Sequence, residues 1–196
     1  LDGQKGYGYL FWRTRNNSYT AFGMGGQFVV VIPEKDAVFV STANTLLYRD
    51  GHQLILDSLW ETLYPAMSEG TCPNDNAAYE KMRYELDNLA LILPEGKSYS
   101  YVADRVSGRH YRLDENKLEY DACEFVFGED KSKLRLIKNG SVCEIDFGMG
   151  RWIMGSEPFL GYKSANAGIW VDEKTCIIHM QIFDCLQMFI LTCRFE

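Results

Sequence analysis

The stretch that decides the fold reads Ala21-Phe22-Gly23-Met24-Gly25-Gly26-Gln27, followed without a break by Phe28-Val29-Val30-Val31-Ile32-Pro33-Glu34-Lys35-Asp36-Ala37-Val38-Phe39-Val40. It predicts a glycine-dense turn, a strand over residues 27–32, a turn over residues 33–36 and a second strand over residues 37–42. Both strands are nearly continuous apolar runs, which is typical of strands that are covered on both faces. The glycines leave backbone N–H groups uncovered beside a strand edge, where another molecule can approach closely.

A helix is predicted after this hairpin. Asp50 stands where an N-cap is expected, and Gln53 follows three residues later, as in a capping box. Apolar side chains recur every three or four residues from 55 to 64, which predicts a broad apolar face packed on a sheet. Pro65 is predicted to end the helix.

The chain then changes character. Residues 68–75 have the composition of a linker, and residues 76–91 predict a second helix that Pro94 stops. From residue 99 onward, short alternating runs are separated by turns, and Asn139-Gly140 is a strong hairpin signal. These runs predict about eight strands in a small up-and-down barrel or a sandwich. The predicted strands cover residues 108–113, 123–127, 133–137, 141–147, 151–154, 167–171, 175–183 and 186–195.

Composition and charge limit the class of protein. The chain has 196 residues, of which 46% are hydrophobic, so it can bury a substantial core. Its net charge is −7 and its basic residues form no run, which argues against a nucleic-acid partner. No apolar stretch is long enough to predict a membrane-spanning helix.

The N-terminus and the cysteines bear on processing and compartment. Residues 1–4, Leu-Asp-Gly-Gln, contain neither an initiator methionine nor a signal peptide, which suggests a segment cut from a longer protein. None of the six cysteines forms a Cys-x-x-Cys pair, so the pattern favours small buried core residues over a zinc site. Reduced cysteines weakly favour a cytoplasmic location, although an even number of cysteines also allows disulfide bonds. The cysteines are Cys72, Cys123, Cys143, Cys176, Cys185 and Cys193.

Several modest motifs, taken in order, resemble one enzyme family. Residues 7–12 read Tyr-Gly-Tyr-Leu-Phe-Trp, residues 23–27 read Gly-Met-Gly-Gly-Gln, and residues 32–36 read Ile-Pro-Glu-Lys-Asp. Asn44 follows the last strand, and a helix that reaches Tyr64 comes next. This order resembles the C-terminal part of the transpeptidase-like fold of serine hydrolases, which includes class C β-lactamases, penicillin-binding proteins and related esterases and amide hydrolases.

The resemblance implies a mechanism and a role for the glycine turn. In that family a serine is activated by a lysine one turn later on the same helix, a tyrosine assists proton transfer, and a strand supplies an N–H to the oxyanion hole. Carried over to this chain, the resemblance makes the Met24 backbone N–H the candidate oxyanion donor. It also makes Gly23 and Gly25 the residues that keep the strand edge open to substrate. No metal or organic cofactor is implied.

The chain departs from the family at two points. Family members usually carry Lys-Thr-Gly or His-x-Gly where this chain has Gly23-Met24-Gly25, which favours an esterase, amidase or other peptidase over recognition of β-lactams. No Ser-x-x-Lys motif occurs in these residues, so the chain alone is predicted not to catalyse. The expected partner is an N-terminal hydrolase segment of the same parent chain, and the lone fragment is expected to self-associate through exposed apolar surface.

Residues 97–196 resemble the lipocalin-like β-barrel that is often appended to such hydrolases. The resemblance rests on residues 108–111, 150–152 and 168–172. The whole chain is therefore predicted to be α+β. Residues 1–67 form the C-terminal strands and helix of a transpeptidase-like sheet, residues 68–96 form a linker and connecting helix, and residues 97–196 form an antiparallel lipocalin-like barrel of about eight strands.

A binding module is the alternative function. In that reading the barrel holds a small ligand or a partner, and the hydrolase-like part is only a scaffold. The many large side chains of the barrel favour a filled core over a pocket. His52, His110 and His179 are too far apart in the sequence to indicate a triad or a metal site, so each is interpreted as a structural residue.

Overall fold

The computed structural model describes residues 2–68, 70, 73–158 and 160–196. The fold is mostly β, with 38% of the residues in strands and 21% in helices. The strands form two sheets. The chain divides into two compact units, Leu1–Asp87 and Asn88–Glu196, and each has its own hydrophobic core. Cys72 and part of the predicted linker lie outside the described residues. The domain boundaries at residues 67 and 96 stay predictions.

The first unit contains a five-stranded antiparallel sheet whose strands lie in sequence order. The glycine turn joins its third strand to its fourth, and a 3₁₀ turn over Pro33–Lys35 joins the fourth to the fifth, as the sequence predicts. The strands are β1 (Tyr7–Gly8), β2 (Phe11–Arg13), β3 (Tyr19–Gly23), β4 (Gln27–Ile32) and β5 (Ala37–Ser41).

Helix α1 (Gly51–Ser58) supplies the other layer of this core. It continues through a π-helical turn over Leu59–Leu63 into the short helix α2 (Tyr64–Ala66). Alternate side chains of β4 pack in one buried cluster with one side of this helical segment. The apolar face predicted for the helix is the side that is buried there. The core residues are Phe28, Val30, Ile32, Leu56, Leu59 and Trp60.

The predicted helix ends need correction. Asp50 is in the left-handed region with φ of 56° and makes no side-chain cap bond, so the capping box is wrong. Gln53 instead hydrogen-bonds the Asp2 carboxylate at 2.7 Å, which is a tertiary contact that competes with the local one. The helical segment ends at Ala66, one residue past Pro65, so Pro65 lies in its last turn, close to the predicted end. Helix α3 (Asn76–Asp87) ends four residues earlier than predicted.

The second unit contains an eight-stranded sheet. All eight predicted strands are present within a few residues of their expected bounds. The pairing is antiparallel except that β9 and β11 are parallel, with β10 paired to β11. The strands are β6 (His110–Arg112), β7 (Ala122–Val126), β8 (Ser132–Lys138), β9 (Ser141–Met149), β10 (Ile153–Ser156), β11 (Lys163–Trp170), β12 (Thr175–Ile182) and β13 (Met188–Arg194).

This second sheet is curled into a half-barrel. The ring of Phe195, just after β13, lies 6.4 Å from the ring of Tyr111 in β6, so the curl brings the two ends of the sheet toward each other. Within the described residues, however, β6 and β13 are not hydrogen-bonded to each other. The structure thus shows a curled sheet of eight strands. It does not show a closed lipocalin-like barrel.

Helix α4 (Tyr101–Val106) precedes the second sheet and was not predicted. Ser100 caps it, because its Oγ accepts the Val102 N–H at 3.2 Å. Val102, Ala103 and Val106 are buried in the second core. The helix has only six residues, so its periodicity is too short to stand out in the sequence.

Candidate functional site

The glycine turn is a tight hairpin connection at the end of β3. Gly23 pairs with Gln27, and Met24, Gly25 and Gly26 form the turn between them. Gly25 and Gly26 have φ of 82° and 92°, a region that other residues adopt only at a cost. The glycines are therefore needed for the direction of the chain here.

The carbonyl groups of this turn accept hydrogen bonds from the last residue of β5 and from the chain that follows it. The Thr45 N–H and Oγ1 both donate to the Gly25 carbonyl, at 3.0 and 3.1 Å. The Ser41 Oγ donates to the Gly26 carbonyl at 3.1 Å. Gln27 Nε2 donates to the Ala43 carbonyl at 2.5 Å. These bonds hold the turn in one conformation.

The Met24 N–H has a different environment. The Met24 residue is 72% exposed, and its N–H donates no hydrogen bond within the described residues. A backbone donor that has no partner and is held by an anchored turn can donate to an oxyanion without reorganising. Of the three predicted site residues, Met24 is exposed, Gly23 is partly exposed and Gly25 is buried.

A cavity of about 230 Å³ lies beside the base of this turn. Phe22, the residue before Gly23, lines it together with Phe28, and their rings stack at 4.7 Å. His52 also lines it, with its ring 5.4 Å from Phe22. Trp12 completes a largely apolar wall, so the cavity suits an uncharged organic group.

A buried polar cluster borders the same cavity. The Asp2 side chain is only 3% exposed and accepts hydrogen bonds from the Thr14 hydroxyl, the Arg15 N–H at 3.1 Å and Gln53 Nε2 at 2.7 Å. The Arg15 guanidinium pairs with both Asp2 and Asp57. Every carboxylate oxygen of Asp2 thus has a partner, which is what a buried charge requires.

The ionisation of this cluster follows from its contacts. Burial by itself raises the pKa of the Asp2 carboxyl, but accepted hydrogen bonds, chiefly from Gln53 and Thr14, outweigh it and hold the pKa below its usual value. Burial likewise works against the charge on Arg15, but the hydrogen bond to Asp57 and the nearby negative charges raise its pKa. The cluster is therefore ion-paired, and it supports the wall of the cavity that Asp2 lines.

Sequence reasoning missed this cluster. Asp2 and Gln53 are 51 residues apart, and no spacing rule connects them to Thr14 or Arg15. The one signal in the sequence is the position of Gln53 on the first turn of α1, and that position also fits a capping box.

The concave side of the half-barrel is filled with aromatic rings. Phe127 lies 5.3 Å from Trp170 and 6.3 Å from Phe147, and Phe195 lies 5.6 Å from Trp170, measured between ring centroids. Trp170 and Phe147 are almost completely buried. As a binding module, the barrel would hold a small ligand on this side of the sheet. Around Trp170 that space is occupied by aromatic side chains.

The described cysteines are free thiols that belong mostly to this core. Cys176 and Cys193 face each other in register on β12 and β13. Burial, assisted by a neighbouring cysteine in each case, raises the pKa of both thiols to about 12. They are therefore poor nucleophiles. Among the described residues, no group of three or more His, Cys, Asp or Glu side chains is placed to hold a metal ion.

Comparisons with known proteins give no relative. No protein-family model matches the chain, and neither the curated proteins nor the solved structures contain a significant match. In the part of the chain that the structure describes, none of the helices combines the length and the apolar character needed to cross a membrane.

Proposed function

We propose that residues 1–67 form the last strands and the C-terminal helix of a serine hydrolase related to β-lactamases and penicillin-binding proteins. The parent enzyme would cleave an ester or an amide through an acyl-enzyme. A transpeptidase-like sheet followed by a lipocalin-like barrel is the finer fold within this proposal. One observation supports it most: Met24 is an exposed residue in an anchored turn, and its N–H donates no hydrogen bond within the described residues.

The proposed chemistry assigns one step to this chain. A serine Oγ attacks the substrate carbonyl carbon, its proton passes to a neighbouring base, and the carbonyl electrons move to oxygen. The resulting oxyanion accepts a hydrogen bond from the Met24 N–H. Collapse of this intermediate expels the alcohol or amine. The serine and the base come from another segment of the parent protein, because these 196 residues contain no Ser-x-x-Lys.

The cavity beside the turn gives this proposal a place for part of the substrate. Phe22 and Phe28 are apolar, and the carboxylate of Asp2 is committed to its own partners. An uncharged acyl or alcohol group therefore fits the wall better than a carboxylate does. This agrees with the lack of a lysine or threonine side chain in the glycine turn.

The test replaces the donor in the protein encoded by the complete gene. Met24→Pro removes the N–H at this position, whereas Met24→Ala keeps it and serves as the matched control. We expect Met24→Pro to slow labelling by a fluorophosphonate probe by a factor of about 10² to 10³ and Met24→Ala to change it only slightly. Equal thermal melting of the two variants shows that folding is not the cause. Labelling of Met24→Pro at the wild-type rate would overturn the assignment.

A further inference from the structure

The cavity beside the glycine turn has a wall of aromatic rings. Phe22 stacks on Phe28, with the two ring planes 10° apart, and the ring of His52 lies beside it, tilted by 32°. Trp12 and the buried side chain of Leu56 also line the cavity. Aromatic groups make offset-stacked and edge-to-face contacts with such rings, which a saturated group of the same size does not make. This wall therefore favours an aromatic occupant over an aliphatic one.

The volume of the cavity suits a single ring. The cavity measures about 230 Å³. A dry apolar cavity of about 150 Å³ in another protein is large enough to bind benzene. The cavity beside the glycine turn thus has room for one six-membered ring together with a small substituent.

The polar side chains that line the cavity do not favour a charged ligand. Most of them are already hydrogen-bonded within the first unit; they are Asp2, Arg13, Thr14, Thr20 and Gln53. The Asp2 cluster also contains two carboxylates, Asp2 and Asp57, but only one guanidinium, Arg15, so it carries a net negative charge. A negative cluster at the wall disfavours an anion. A neutral ring needs no partner for a charge and fits these surroundings.

We propose that this cavity binds an uncharged group with a single aromatic ring, which packs against Phe22. For its link to catalysis this assignment rests on the proposed function: the ring belongs to the acyl or alcohol part of the ester or amide that the parent enzyme cleaves. Phe22 stands two residues before Met24 at the end of β3, so a ring that contacts Phe22 lies near the candidate oxyanion donor. Phe22 is then the residue that determines specificity for an aromatic substrate.

The first test measures binding without any catalytic step. Phenol, cyclohexanol and benzoate are titrated into the 196-residue chain, and the NMR signal of the Trp12 indole N–H reports occupation of the cavity. Phenol should bind with a dissociation constant about tenfold lower than that of cyclohexanol, because only phenol makes ring contacts. Benzoate should bind more weakly than phenol. Equal affinity for phenol and cyclohexanol, no binding of phenol, or tighter binding of benzoate would overturn the proposal.

Two variants locate the aromatic contact. Phe22→Leu keeps an apolar side chain but removes the ring, so it should lower the affinity for phenol to that for cyclohexanol. Phe11→Leu is the matched control, because Phe11 is 40% exposed against 41% for Phe22 and lies on the neighbouring strand β2. Phe11 is not among the described residues that line the cavity, so this variant should keep the preference for phenol. Loss of the preference in both variants would contradict the role of Phe22.

A last measurement separates the aromatic site from the hydrolase proposal. In the protein encoded by the complete gene, a fluorophosphonate with a phenyl group should label the serine about tenfold faster than one with a cyclohexyl group in the same place. Equal rates would overturn the catalytic role of the cavity, whereas Met24→Pro would still decide the oxyanion assignment. No labelling by either reagent would contradict the hydrolase proposal, and the binding of phenol to the chain would still decide whether the cavity is an aromatic site.

Discussion

At the scale of single residues, Asp2 is the group whose chemistry is most constrained by its surroundings. Its carboxylate is buried, and its partners come from the hairpin before β3 and from α1. A buried carboxylate contributes to stability only while these bonds remain complete. The cluster therefore links the strand layer to the helix layer next to the cavity.

A pH-dependent stability is expected from this contact. The folded-state pKa of Asp2 lies below its usual value of 3.8, so its contribution is complete above that pH and is lost as the pH falls through the folded value. Asp2→Asn should lower the free energy of unfolding in urea by about 1–3 kcal/mol at pH 7. The difference from wild type should shrink at the acid end of the titration.

The control for this prediction is Asp130→Asn. The Asp130 side chain is fully exposed, so the same chemical change there should alter the free energy of unfolding by less than about 0.5 kcal/mol. A loss at Asp2 that stays constant from neutral to acid pH would show that charge is not the source of the effect.

At the scale of elements, local patterns predicted the strands well. The hairpin of β4 and β5 and all eight strands of the second sheet follow from apolar runs divided by turn residues, and such signals are local. The helix starts after Asp50 as predicted, but its capping box is absent because a distant carboxylate, Asp2, accepts the hydrogen bond of the Gln53 side chain. Helix α4 was missed because six residues give almost no periodicity.

The glycine turn gives a prediction at this scale. Gly26 has φ of 92°, and a Cβ there would lie 2.6 Å from Ile55 Cδ1. Gly140 has φ of 77° with open space around it. Gly140→Ala should therefore lower the free energy of unfolding only by what a left-handed backbone costs a residue with a Cβ, about 1–2 kcal/mol. Gly26→Ala should lose about 1 kcal/mol more by urea denaturation, because the methyl group must also displace the Ile55 side chain. Equal losses would show that the turn is not held against α1.

At the scale of the whole molecule, the chain is two compact β-rich units. The second sheet and the sequential order of most of its strands could be predicted, but the parallel pairing of β9 with β11 could not, because no local pattern shows that β10 leaves the place between them. The same limit applies to the candidate site. The glycine turn is contiguous and is visible in the sequence, whereas the cavity and the Asp2 cluster combine residues 2–28 with residues 52–57.

If the hydrolase proposal is right, this chain supplies the oxyanion side of a serine hydrolase. The most direct test is to read the coding sequence that precedes the Leu1 codon in the same frame. We expect it to encode a Ser-x-x-Lys motif followed by a tyrosine motif, as the resemblance requires. A start codon at this position, or an unrelated domain before it, would overturn the hydrolase proposal, because no serine nucleophile would then accompany the Met24 N–H.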